Sequence, residues 1–230
     1  MNSTTQPAAP DTASVRENGW RGALWWRMRT LFWLKLIGVT AVVWLFFVAY
    51  FHLLRYPSAA VTEMPLTAVD HWIAFEPLAL GPYLSLWLYV GIAPGLMANL
   101  RQLLHCGLWA AALCATGLIL FYLWPTAVPL HIQSGSIELL RGLDAAGNAC
   151  PSLHVATATF SVIWIDHVLR TVRAPEPLRA ANGLWFVAIV YSTLAIKQHV
   201  LIDVLAGFAL GLPFAWLSLR STPAANVQRL

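Results

Sequence analysis

Six apolar stretches punctuate the 230-residue chain, most of them close to the ~20 residues that an α-helix needs to cross the hydrocarbon core of a bilayer. They run about Leu31 to Leu54, Leu78 to Leu96, Leu103 to Leu123, Ser152 to Leu169, Leu184 to Ile196 and Val200 to Leu219. In lipid every backbone polar group must be bonded within the protein, so such stretches have to be helices. The expected fold is therefore all-α, an integral membrane bundle of about six transmembrane helices. Composition agrees: 59% of residues are hydrophobic and only 10% charged, against about 25% charged in soluble domains. The 12 Trp suit the membrane interface, where the ring is apolar and the indole N–H stays wet.

Residues 1–29 form a disordered start and an interfacial stretch, in which Trp20, Trp25 and Trp26 lie among Arg21, Arg27 and Arg29. No cleavage site stands out, so the first apolar run is expected to stay as a transmembrane helix. Residues 30–220 make the membrane domain and 221–230 a tail. All but three of the 14 Lys and Arg residues fall on one side if the chain starts in the cytoplasm; the exceptions are Arg55, Arg141 and Lys197. That asymmetry predicts cytoplasmic N- and C-termini. The net charge of +4 is scattered over the ends of the apolar runs, which predicts topology-setting charge and no nucleic-acid partner. Cys106 and Cys114 lie in an apolar run and Cys150 has no obvious partner, so neither a disulfide nor a zinc framework follows.

Ionisable residues within spans are costly and often functional. Two clusters fall at the outer boundary. The first is Cys150-Pro151-Ser152-Leu153-His154, where a loop turns into a helix. Pro151 is expected near the first helical position. The free N–H groups of such a start attract phosphate, Ser152 adds a hydroxyl and His154 a titratable ring. The second is Lys197-Gln198-His199 with Asp203. His199 and Asp203 are four residues apart; if helical, they share one face, and the carboxylate can then fix the imidazole tautomer. Taken alone, each cluster also reads as a plain helix end. Together, on one side and at one depth, they suit phosphoryl transfer: one His attacks phosphorus, the other protonates the departing oxygen, and Lys and N–H groups hold the non-bridging oxygens.

These residues resemble the signatures of the type 2 phosphatidic acid phosphatase (PAP2) superfamily. Pro151-Ser152-Leu153-His154 is similar to the second signature, and Ser192, His199 and Asp203 to the third, Ser-x6-His-x3-Asp. The resemblance implies His199 as nucleophile, Asp203 as its orienting partner and His154 as general acid. It implies no metal and no other cofactor, and a lipid phosphate as substrate. The first signature of the family supplies a Lys and an Arg-Pro; here the matching stretch Trp124 to Leu130 has neither, and Thr193 stands where an Arg is usual. Pro125, Pro129 and the Pro-Ser-Leu-His form look more like a divergent branch that includes inositol phosphorylceramide synthases. Phosphate binding is then expected from Ser152, Lys197, Ser192, Arg141 and backbone N–H groups.

The expected activity is that of a membrane lipid phosphatase or phosphotransferase working through a phosphohistidine at the outer face. The location implied is a bacterial inner (plasma) membrane with a periplasmic site. The alternatives are a catalytically degenerate lipid-binding or transport protein on the same fold, a metalloprotein using His154, His199 and Asp203, and a haloperoxidase. The third to sixth spans should gather the site, with the loop Trp124 to Cys150 folded over it.

Overall fold

The computed structural model of the chain describes residues 12–129 and 148–222. They are almost entirely helical. Helix α1 (Thr12–Arg29) is broken at Gly19, whose φ of 55° no helix accommodates, and α2 (Phe32–Arg55) follows. A two-residue strand β1 (Thr62–Glu63), a short helix α3 (Ala68–Trp72) and a 3₁₀ turn (Pro77–Ala79) lead into α4 (Leu80–Leu84) and α5 (Leu86–Gly95). Helix α6 (Leu100–Leu123), strand β2 (Thr126–Ala127), α7 (Leu153–Thr171), α8 (Glu176–Ala195) and α9 (Leu201–Arg220) complete the order.

Five of these segments are long and apolar enough to cross a membrane: α2, Pro77–Gly95, α6, α8 and α9. Each carries large apolar side chains on its surface, such as Trp33, Ile37 and Trp44 on α2, Leu108 and Ile119 on α6, and Leu184 and Val187 on α8. Lipid is the medium that such surfaces prefer. The expected fourth span behaves differently. Helix α7 is 19 residues long but too polar to rank with the other five. Its position explains why. Eleven of its residues are buried, among them Ala156, Ala158, Thr159, Ser161 and Trp164, so protein rather than lipid surrounds it and small or hydroxylated residues are tolerated.

Packing around α7 is close because two glycines of α9 face it. A Cβ on Gly207 would lie 2.5 Å from the Ser152 carbonyl, and one on Gly211 would lie 2.6 Å from the Ala156 carbonyl. Small residues spaced by four let membrane helices approach in this way. Hydrogen bonds reinforce the contact between helices. Trp164 Nε1–H donates to Ser218 Oγ at 2.8 Å, the Tyr89 hydroxyl to Asn182 Oδ1 at 2.7 Å, and Trp185 Nε1–H to Ser85 Oγ at 2.8 Å. His105 ties α6 to α9 through Nε2 and the Ser218 carbonyl, 2.8 Å apart. Bonds of this kind contribute about 0.6 kcal/mol each in a bilayer.

Two boundaries differ from those expected. The second span is a 3₁₀ turn and two helices that meet at Ser85. Helix α8 begins at Glu176, eight residues before Leu184, because its first turns are polar and a hydropathy reading passes over them. One of these polar residues, Asn182, is buried and donates to the Val162 carbonyl at 3.1 Å.

Candidate active site

The α7 start is built from Ser152 outward. Ser152 is the N-cap: its Oγ accepts from the Val155 N–H at 3.3 Å. Pro151 therefore stands just before the cap, near the first helical position. A Ser side chain reaches the third N–H of a helix only from the cap position, so Ser152 claims that position. With Leu153 first and His154 second in the helix, their N–H groups point out of the helix end with no intrahelical acceptor. Thr126 braces this start: its Oγ1 accepts from the Cys150 N–H at 2.8 Å. Strand β2, which carries Thr126, pairs in parallel with β1.

The other half comes from the link between α8 and α9. Thr193 O accepts both the Gln198 and the His199 N–H, each at 3.1 Å, and Lys197 takes a left-handed φ of 61°. Asp203, in the first turn of α9, accepts the Val200 N–H through Oδ2 at 3.0 Å, closing the helix start. The same oxygen lies 3.5 Å from His199 Nδ1. Both side chains are enclosed, 6% and 0% exposed.

The close α7–α9 crossing brings the halves together. The Ser152 N–H donates to the Asp203 carbonyl at 3.0 Å, and the His154 and His199 rings lie 5.9 Å apart, centroid to centroid. One phosphate can touch both. Among the described residues, three buried polar atoms have no hydrogen-bond partner: His154 Nε2, His199 Nδ1 and Asp203 Oδ1. Orphaned buried polar atoms are rare, and catalytic bonds are often long until substrate binds. All three belong to this one cluster.

The remaining expected residues divide. Lys197 lies beside His199 in sequence, but its ammonium donates to the carbonyls of Asp70, at 2.8 Å, and Ile73. Burial holds its pKa below the usual lysine value, an effect that Asp70 opposes. Ser192 is fully buried and donates to the Ile189 carbonyl at 2.6 Å. Arg141 lies outside the described residues. Asp166 and His167 sit at the far end of α7, roughly 20 Å from His154 by helical rise, in a groove with Arg170 and Arg179. No group of three His, Cys, Asp or Glu placed to hold a metal ion occurs among the described residues.

Three contributors escape the sequence motifs. Tyr83 stacks on His154 with ring centroids 4.4 Å apart and planes 16° apart, and Trp87 meets the same ring edge-on at 5.8 Å. Both belong to the second span, which was not expected at the site. Nothing in the local pattern marks them. Asp70 is the third. Its pairing with Thr67 as a Thr-x-x-Asp capping box was readable, though its reach across the fold was not.

The sequence model of the PAP2 superfamily matches residues 38–226, a stretch holding all of α5 to α9 and both histidines. The chain belongs to the PAP2 superfamily. Neither the curated proteins nor the solved structures contain a match to it. Membership in PAP2 points to lipid phosphatase or phosphotransferase activity, and PAP2 members are generally metal-independent phosphatases. The apolar helices make this PAP2 member an integral membrane protein.

Proposed function

We propose that this chain cleaves a lipid phosphoester through a phosphohistidine on His199. The observation that carries the reading is the pairing of the two imidazoles at 5.9 Å, with Asp203 behind one of them. Asp203 at Nδ1 selects the tautomer that leaves His199 Nε2 unprotonated and nucleophilic. As the Nε2–P bond forms, the ester P–O bond breaks, and protonated His154 Nε2 gives its proton to the departing oxygen. Water or a lipid alcohol then attacks phosphorus. Its proton returns to His154, the P–N bond breaks and His199 is restored. The acceptor decides between hydrolysis and transfer.

The non-bridging oxygens fit the outward N–H groups of Leu153 and His154. Ser152 retains a hydroxyl proton to donate, because its oxygen serves the cap as an acceptor. The ammonium of Lys197 has a third N–H beyond its two carbonyl bonds, and Arg141 would add a second cation. Ser192 contributes by fixing the end of α8. The Pro-Ser-Leu-His form favours transfer of a phospho-head group between lipids, as in the branch with inositol phosphorylceramide synthases. In this reading residues 30–220 are the catalytic membrane domain. Helix α7 is a sixth crossing inside the other five, both termini are cytoplasmic, and the site opens on the periplasmic face of a bacterial inner membrane.

A second reading, a degenerate lipid-binding or transport protein, is favoured by one observation: the Trp124-to-Leu130 stretch has no Lys or Arg and position 193 is Thr. Phosphate release from a panel of lipid phosphates, with EDTA present, separates the two for wild type and His199→Ala. Release that survives EDTA and is lost in the variant supports the enzyme. Wild type that binds lipid phosphates but neither releases phosphate nor passes it to added alcohols supports the second reading.

A further inference from the structure

His199 sits in a link between helices, where a backbone is ordinarily free to move. Here it is pinned on both sides by one segment that carries none of the catalytic motifs. On the N-terminal side, Lys197 is held in its left-handed conformation while Nζ donates to the Asp70 and Ile73 carbonyls. A non-glycine residue keeps such a conformation only where its surroundings over-determine it. On the C-terminal side, Asp70 Oδ1 accepts the N–H of Leu201, the first residue of α9, at 2.8 Å. The other carboxylate oxygen is itself fixed, accepting the Thr67 N–H and hydroxyl at 2.7 Å each. Farther along, the Glu76 N–H donates to the Ala195 carbonyl at 3.0 Å. Asp70 is 5% exposed, so water does not substitute for these bonds.

The same segment continues to Tyr83, which packs with Ala195 and Ile196 and stacks on His154. One stretch of chain therefore touches the supports of both imidazoles. We propose that Asp70 is a positioning residue for His199, acting through its carboxylate on the Leu201 N–H to hold the ring at Asp203 and opposite His154. The proposal rests on the reading of His199 as the nucleophile. Capping of α9 by Asp70 alone would support the fold and leave turnover untouched; positioning makes turnover depend on it.

The test measures kcat and KM for phosphate release from a lipid phosphate, with the full chain in detergent, well below the melting temperature. The variants are Asp70→Ala, Asp70→Asn, Thr67→Ala and His199→Ala. Asp70→Ala should lower kcat by roughly 10- to 100-fold, the scale of an ångström-sized misplacement, with KM within about 2-fold because the phosphate contacts stay. Asp70→Asn keeps an acceptor for the Leu201 N–H and should recover most of that loss. If Asp70→Ala does not fold, Thr67→Ala, which only loosens the carboxylate, should still lower kcat several-fold at unchanged KM. Wild-type kcat in Asp70→Ala, or in Thr67→Ala where Asp70→Ala fails to fold, overturns the proposal while the nucleophile reading stands. Undiminished release by His199→Ala overturns the nucleophile reading itself, and the proposal with it.

Discussion

Replacing Gly207 with alanine should push the two histidines apart without touching either. The added methyl would lie 2.5 Å from the Ser152 carbonyl and 3.0 Å from Val155 Cβ, whereas ordinary contact begins at 3.4 Å. Neither neighbour is the far end of a flexible side chain, so α7 and α9 must separate by about 0.9 Å. Overpacking of this kind costs about 1–3 kcal/mol. The Ser152 N–H bond to the Asp203 carbonyl, now 3.0 Å, would stretch to about 3.9 Å, beyond hydrogen-bonding distance. His154 rides on α7 while Asp203, behind His199, rides on α9, so the gap opens within the candidate site. A misplacement near 1 Å lowers turnover by up to about 100-fold. The assay is phosphate release in detergent alongside a thermal melt, with Gly107→Ala as control, since nothing lies within 4 Å of a Cβ there. The control should keep wild-type rate. Wild-type turnover and an unchanged melt in Gly207→Ala would refute the reasoning.

Tyr83→Phe keeps the ring on His154 and should keep most activity; Tyr83→Ala loses a stacking contact of about 0.5–1.5 kcal/mol, so kcat should fall up to about 10-fold. Burial, and then the nearby Asp203 carboxylate, push the Cys150 thiol up to about 11. At pH 8 little thiolate exists, so Cys150 should resist iodoacetamide in the folded protein and react once unfolded; Asp203→Asn should speed the folded reaction only modestly, because burial is the larger cause. Rapid alkylation of the native protein would contradict that assignment. In a cysteine-free background, Ser58→Cys should react with a membrane-impermeant maleimide added to intact spheroplasts, and Ser221→Cys only after permeabilisation; the reverse pattern would invert the proposed topology.

The membrane character was legible because apolar runs of span length leave the backbone no alternative to a helix. Helix α7 shows the limit of that logic. A helix enclosed by other helices no longer needs an apolar surface, so its own sequence carries a weaker membrane signal, even though Ser152 to Leu169 read as one of the six apolar stretches. The site motifs were legible because each is short and local, although His199 lies just before the Val200 cap of α9, so its four-residue spacing to Asp203 spans the helix cap and not a helical turn. Nothing local relates Tyr83 or Asp70 to these residues: Tyr83 lies 71 positions before His154 and Asp70 lies 131 before Leu201. The orientation of Lys197 was hidden for a related reason. Two residues from His199 in sequence, it reads as a phosphate ligand alone, whereas two of its N–H groups are taken by the Asp70 and Ile73 carbonyls.

The central claim is covalent, and the most direct measurement is capture of the covalent species. Wild type, His154→Ala and His199→Ala would be mixed with a lipid phosphate carrying ³²P, quenched in alkali, where phosphohistidine survives, and mapped by mass spectrometry. The account predicts acid-labile label on His199 in wild type, more of it in His154→Ala if breakdown of the intermediate slows more than its formation, and none in His199→Ala. Label on another residue, or turnover by the wild type with label still present in His199→Ala, would contradict it.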